Sequence, residues 1–313
     1  MERIAALFPG QGSQKVGMGH DLAERWPAAA SIFSGIDDGL GIDLSHLCWN
    51  GPEEELKLTT NTQPALLAHS TAAWRVLAEA GLRVDAVAGH SLGEYSAVVA
   101  AGGLAAVDAA RTVRERGRLM QQAVPVGEGA MAAVLGLDDE VVLALCREIT
   151  ETGGEPVVAA NFNSPGQVVI AGTAGAVERA IEICREKGAR RALPLPVSAP
   201  FHSPLMAPAR EGLEPTLRAL DFGDLDVPVY RNVDAEPVRG ADDVLDGLIR
   251  QVDAPVLWSQ TIERMRADGF DTFVEVGAGN VLCGLVKRID RSATSYPAGT
   301  VESVEKVIQE LVG

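Results

Sequence analysis

A chain of 313 residues, 47% hydrophobic and 22% charged, can bury one large core or a large core with a smaller one beside it. A net charge of -16 and an aromatic content of 4% argue against a nucleic-acid surface, since a phosphate backbone would be repelled and few rings are available for stacking. No apolar run is long enough to cross a bilayer, and MERIAALFPGQGSQ lacks the basic region and long apolar stretch of a signal peptide, so no membrane partner is expected and the cytoplasm is the expected compartment.

Arg3–Phe8 is a short apolar run ending in Pro9-Gly10, the form of a buried strand entering a turn. Residues 63–80 (QPALLAHSTAAWRVLAEA) repeat apolar side chains at helical spacing and stop at Gly81. Residues 85–89 predict a short strand, 92–101 a small apolar helix closed by Gly102-Gly103, and 107–122 an amphipathic helix rich in arginine. Strand and helix alternate here, the pattern of a parallel sheet with helices on its faces. Near Gly127 the rhythm changes. AMAAVLGL predicts a strand, DDEVVLALCREI a helix with Asp138 as candidate N-cap, and PVVAANFNSP and GQVVIAG two strands joined by an Asn-Ser-Pro-Gly turn. AGAVERAIEICREKG then predicts a helix and ARRALPLPV a last strand. That β-α-β-β-α-β order is the ferredoxin-like arrangement. Helix resumes over 198–220, and DTFVEVGAG predicts a core strand running through a Gly turn into the helix NVLCGLVKRI. The expected organisation is a large α/β subdomain built from 1-126 and 198-313, with a small ferredoxin-like one inserted over 127-197.

Cys48, Cys146, Cys184 and Cys283 lie far apart and form no CxxC pair, so inert thiols are expected, with no disulfide framework and no zinc site. Among His20, His46, His69, His90 and His202 no pair has the i, i+4 spacing of a helical metal site.

GHSLG, residues 89–93, fits the G-x-S-x-G nucleophile elbow. A serine at a tight strand-to-helix bend holds its hydroxyl exposed, and a glycine on each side lets neighbouring backbone pass without a Cβ clash. The helix N-terminus beyond offers free N–H groups to a developing oxyanion. The plainer alternative is an ordinary strand–helix turn. A serine nucleophile needs a base, and His202, in the Pro-flanked loop SAPFHSPLM, is the best candidate; a surface loop histidine is the alternative. His90 adjoins the serine but projects differently at the bend, so it reads as supporting the elbow or lining a pocket. FPGQGSQ is a Gly-rich turn after the first strand, without the Gly-Lys-Ser/Thr ending of a phosphate loop. Gln11 there could lend a backbone N–H to an oxyanion hole, or the turn could be structural. Arg114, Arg116 and Arg118 crowd one helix; one of them can point inward, and their spacing does not choose which.

FPGQGSQ, QPALLA, GHSLGEYSA, RGRLMQ, NFNSPGQVVIAG, APFHSPLM and EVGAGNVL occur in this order across nearly the whole chain. Together they resemble the malonyl-CoA:acyl carrier protein transacylase family, also found as the acyltransferase domain of fatty acid and polyketide synthases. The resemblance implies an α/β-hydrolase-like large subdomain with a ferredoxin-like small one. It implies Ser91 as nucleophile, His202 as general base, and the N–H groups of Gln11 and Leu92 as the oxyanion hole. Arg116, directly before Gly117, matches the residue that grips the substrate's free carboxylate. Gln63 and Asn161 match polar groups lining the pocket, and Gln251 the residue whose backbone carbonyl orients the histidine. Phe201 stands where some relatives have a small residue, a choice that resembles the malonyl-selecting version of the modular enzymes, in which a bulky ring leaves no room for an α-methyl branch. Malonyl-CoA and an acyl carrier protein are the implied partners, with no metal or redox cofactor, and a monomer is expected. Carriers in such pathways are usually acidic, so docking on this acidic chain calls for a local basic patch, for which Arg185, Lys187, Arg190 and Arg191 are candidates. The alternatives are a serine thioesterase using the same elbow, from which Arg116 and Phe201 point away, and a catalytically silent docking module, which an intact Ser91 and His202 oppose.

Overall fold

In the computed structural model residues 3–197 and 199–313 are described; Met1, Glu2 and Ser198, where the larger unit is expected to begin and resume, lie outside the described residues. Among the described residues ten strands occur in chain order: β1 (Arg3–Phe8), β2 (Ala86–Gly89), β3 (Gly129–Leu135), β4 (Val157–Ser164), β5 (Gln167–Thr173), β6 (Arg191–Pro194), β7 (Val229–Tyr230), β8 (Pro237–Val238), β9 (Phe270–Val276) and β10 (Thr294–Ala298). They form two sheets. The larger runs β10-β9-β1-β2-β7-β8 and is parallel except for its edge strand β8. Its central strands are covered on both faces, which is why RIAALF and AVAG read as continuous apolar runs rather than alternating ones. Ala6, Phe8 and Val87 face a core with the helix Thr59–Glu79, while Ala5, Leu7 and Ala88 face Trp258, Ile262 and Phe273 on the other side.

The smaller sheet is antiparallel throughout, in the order β4-β5-β3-β6. Helices Asp139–Gly153 and Ala174–Glu186 complete a β-α-β-β-α-β succession and pack Val142, Leu145, Val177 and Ile181 against Val134 and Ile170. Cys146 and Cys184 belong to this core, and burial pushes the Cys146 thiol up to about 12. The two sheets are tied where Asn161 on β4 bridges Val256: Phe162 N–H donates to the Val256 carbonyl and Val256 N–H to the Ala160 carbonyl, each at 2.9 Å.

Several expectations shift in detail. The long helix begins at Thr59 rather than 63, so Pro64 lies inside it; Asn61 and Thr62 already donate to the Leu58 carbonyl, and Thr62 Oγ1 is tied to the Leu56 carbonyl. Asp138 occupies the N-cap position but makes no capping bond; the neighbouring Asp139 accepts from Gly166 N–H instead. β6 spans only Arg191–Pro194, since Pro194 and Pro196 cannot donate to a ladder. Of the stretch expected as helix over 198–220, the part described from 199 is first a loop, then a short 3-10 turn at Pro204–Met206, then the helix Ala207–Arg218. Pro200 and Pro204 keep the backbone before them out of the helical region. Among the described residues no helix is long and apolar enough to cross a membrane, and no cluster of His, Cys, Asp and Glu could hold a metal ion.

Candidate active site

β2 ends at Gly89 and the helix Gly93–Ala100 starts after Leu92, so the chain reverses direction within a few residues. The bend is closed by backbone approach. A Cβ on Gly89 would lie 1.9 Å from the Gly93 carbonyl carbon, and one on Gly93 would lie 2.0 Å from the Phe8 oxygen. Only glycine fits either position. Between them Ser91 takes φ 51°, a left-handed conformation that costs about 1–2 kcal/mol for a side-chain-bearing residue. Ser91 N–H donates to Asn232 Oδ1 at 2.6 Å, and Asn232 Nδ2 donates to the Gly89 carbonyl at 2.6 Å, so one fully buried amide clamps both limbs of the bend.

His202 reaches the serine from the loop before Ala207–Arg218, also in the left-handed region at φ 57°. Its Nε2 is 2.6 Å from Ser91 Oγ. Its Nδ1 faces the backbone carbonyls of Gln251 at 2.9 Å and Ala254 at 3.2 Å. Carbonyls only accept, so Nδ1 carries the proton and Nε2 is free to accept from the serine hydroxyl. Burial, then the neighbouring Arg116 charge, push the imidazole down to about 3, so it stays neutral in the resting site. His90 turns the other way: Nε2–H donates to Asn163 Oδ1 at 2.8 Å, and the ring lies 5.5 Å from Trp258.

Arg116 is the arginine that points inward. It is 2% exposed, whereas Arg118 is exposed and paired with Glu115. Gly117 allows this depth: a Cβ there would meet the Thr59 carbonyl at 2.6 Å, so the two long helices touch and the preceding side chain is carried inside. Arg116 Nη1 donates to Gln63 Oε1 at 2.8 Å, and Nη2 to Gln251 Oε1 at 2.9 Å and to Ser91 Oγ at 3.1 Å. These partners are all neutral, so the guanidinium keeps a net positive charge in a dry setting, where an anion would be strongly attracted.

Ser91, His202, Arg116, Gln63, Gln11, Leu92, His90, Asn161 and Phe201 all line one cavity of about 310 Å³, bounded elsewhere by Met120, Met131 and Val169. The Gln11 side chain is bonded to Thr59 Oγ1 at 3.3 Å. Gln251 stands behind this wall, fully buried, and contacts the site through both its backbone carbonyl and its side chain. A hydroxyl between a neutral imidazole and a cation can attack a carbonyl, pass its proton to the imidazole, and favour an acyl group carrying its own negative charge.

At the elbow itself, two buried residues that bond its backbone or each other carried no sequence assignment. Asn232 is one; Glu94, 1% exposed, is the other, although it directly follows the elbow motif. Of the expected basic cluster, Arg185 is tied back to the Ala192 carbonyl at 2.8 Å. Arg190 instead lines a groove of about 730 Å³ with Lys287, Arg288 and Arg291. Gln167 lines both this groove and the Ser91 cavity.

Residues 6–310 match the model of the acyl transferase domain family. The malonyl CoA-acyl carrier protein transacylase of Bacillus subtilis is 50% identical over 311 residues, covering 99% of this chain and 98% of that protein. The chain belongs to the malonyl-CoA:acyl carrier protein transacylase family. The crystal structure of an acyl carrier protein S-malonyltransferase from Vibrio cholerae superposes with a TM-score of 0.95 at 48% identity, covering 98% of this chain and all (100%) of that one. A malonyl transacylase solved in complex with its type II polyketide synthase acyl carrier protein also gives a TM-score of 0.95, at 46% identity, covering 98% and 99% of the two chains. The mixed α/β architecture with a parallel sheet is therefore common to these transacylases and this chain.

Proposed function

We propose that this protein transfers the malonyl group of malonyl-CoA to the phosphopantetheine thiol of an acyl carrier protein, through a malonyl ester on Ser91. The observation that carries this reading is that Ser91 Oγ lies between His202 Nε2 at 2.6 Å and Arg116 Nη2 at 3.1 Å inside one cavity. Ser91 Oγ attacks the thioester carbonyl as His202 Nε2 takes its proton. The oxyanion accepts from the backbone N–H groups of Gln11 and Leu92. Collapse expels the CoA thiolate, which His202 protonates, and the carrier thiol then attacks by the reverse route. Gln251 holds the imidazole by its carbonyl, so no third carboxylate is needed. Gln63 steadies Arg116, Asn161 and His90 line the acyl channel, and Phe201 fills the space that an α-branch would need.

Arg116 also links binding to chemistry. Its charge disfavours the imidazolium that must form on His202. A malonyl carboxylate held by the guanidinium in paired hydrogen bonds neutralises that charge, so the base gains strength when the right acyl group is present. A thioesterase has no general use for such a cation, and the hydrolytic reading is accordingly the weaker one.

The finer architecture we propose is an α/β-hydrolase-like unit over 1-126 and 198-313 with a ferredoxin-like insert over 127-197, supported by the β4-β5-β3-β6 antiparallel order. We locate carrier docking at the groove of Arg190, Lys287, Arg288 and Arg291, because it opens beside the cavity through Gln167. The unpaired thiols of Cys48, Cys146, Cys184 and Cys283 fit a reducing cytoplasm. Mass spectrometry after mixing with malonyl-CoA tests the reading. A stable adduct of malonyl on Ser91, discharged by a carrier protein, is expected; free malonate without an adduct would favour the hydrolase.

A further inference from the structure

Glu94 is a buried carboxylate that none of these steps uses. It lies in the first turn of Gly93–Ala100, is 1% exposed, and makes no ion pair among the described residues. Burying a carboxylate without a bonded cation is unfavourable, and burial pushes this one up to about 7. Arg231 and Asp234 act on it only through space, in opposite directions. What Glu94 does touch is specific. Its Oε2 accepts from Asn232 N–H at 3.0 Å and from Gln251 Nε2 at 2.9 Å.

Gln251 Nε2 also donates to the Ser91 carbonyl at 2.8 Å. Both amide hydrogens therefore face acceptors, and Oε1 is left facing Arg116 Nη2 at 2.9 Å. Turned end for end, the amide would set its oxygen against a carboxylate and a carbonyl, and its NH₂ against a guanidinium. We propose that Glu94 is a positioning residue: its carboxylate fixes the direction of the Gln251 amide, and through Gln251 Oε1 the aim of Arg116 at Ser91. The inference rests on the reading of Arg116 as the grip on a substrate carboxylate. A neutral amide in place of Glu94 can rotate to donate, which frees Gln251 to turn and leaves Arg116 without its acceptor.

The test is the rate of Ser91 acylation by malonyl-CoA and by acetyl-CoA. In Glu94→Gln the malonyl kcat/KM should fall roughly tenfold, the loss expected when a hydrogen bond to a charged group is broken. Acetyl acylation should change by less than about twofold, because acetyl makes no use of Arg116. The melting temperature should be at or above that of the unaltered protein. Glu94→Gln on a Gln251→Ala background should cause no further loss, since the two residues act in series. Equal losses on both substrates would mean that Glu94 acts only through Asn232 and the elbow, and would overturn the proposal. So would losses that multiply in the double variant. Should Glu94→Gln fail to fold, Glu94→Asp withdraws the carboxylate by one methylene and should show a smaller loss confined to malonyl; an unchanged preference overturns the proposal as well. Failure of the underlying reading would be visible separately, as an unaltered protein without preference for malonyl over acetyl.

Discussion

The two sheets meet at one cavity and bring different chemistry to it. The larger, parallel sheet and its helices carry Ser91, His202, Arg116, Gln63 and Gln251, which are joined by hydrogen bonds of 2.6 to 3.1 Å. The smaller, antiparallel sheet contributes Met131, Ala133, Asn161, Asn163 and Val169, all uncharged and none bonded to the serine hydroxyl. Parallel strands all end at one edge, where tight turns and helix N-termini gather, and that edge suits reacting groups. An antiparallel sheet presents a flat wall whose side chains can vary without disturbing those turns. On the proposed reading, reaction and selection are thereby housed on different frameworks.

The sharpest break in this division is at the serine. Ser91→Ala should abolish the malonyl adduct, and His202→Ala should slow acylation by roughly 10²–10⁴-fold, both read by mass spectrometry of stopped mixtures. A surviving adduct would move the nucleophile off the larger sheet. Next in size is Arg116→Ala, which on the proposed reading removes the partner of the buried malonyl carboxylate, worth about 3–5 kcal/mol, and should lower malonyl kcat/KM by roughly 10²–10³-fold. Acetyl transfer should hold or rise, since His202 is relieved of an adjacent positive charge. A common loss on both substrates would make Arg116 part of the scaffold.

A third test concerns the stability of the larger half. Glu94 is raised from 4.5 to about 7, so the folded protein binds this proton more tightly than the unfolded chain. Its contribution is fully present below about pH 4.5 and is lost as pH rises towards 7, by about 3 kcal/mol in all. His202 runs the other way, its contribution being lost as pH falls from 6.5 towards 3, so the comparison must be between variants. Glu94→Gln should lose less stability than the unaltered protein between pH 5 and pH 8, measured by urea unfolding; parallel curves would contradict the raised value.

At the boundary between the sheets, Phe201 packs on Met131 and Val169. Phe201→Ser should admit methylmalonyl-CoA more readily by no more than about 1–3 kcal/mol, the worth of one methyl in a pocket. Unchanged selectivity would shift the filter to another wall residue. The smallest effect is expected at the groove, where reversing Arg190 and Arg291 to glutamate should raise the carrier's KM a few-fold, roughly 1 kcal/mol of exposed charge, and leave malonyl-CoA acylation unchanged.

Sequence legibility follows the same division. GHSLG was readable because its two flanking glycines are forced by backbone contacts that a Cβ would bring to 1.9 and 2.0 Å, which no other residue satisfies. Arg116 could have been chosen by phase, since Ala109, Val113, Arg116 and Met120 share the buried stripe of one helix. Asn232 and Glu94 carried no such signal; their roles arise from contacts between segments 138 residues apart. Periodicity also fails over 20–56, where the helices His20–Arg25, Pro27–Leu40, Leu44–Asn50 and Glu53–Leu56 are mostly too short to repeat a pattern.

The Asn161–Val256 bridge has a mechanical consequence. Val256 lies just beyond Ala254 and Gln251, whose carbonyls hold the His202 ring. A pair of 2.9 Å bonds from β4 therefore acts as a tie-rod between the smaller sheet and the seat of the imidazole. Tilting that sheet pulls on the segment that sets the distance between Nε2 and the serine oxygen. Opening the cleft wide enough to admit a bulky acyl chain would thus also loosen the proton acceptor.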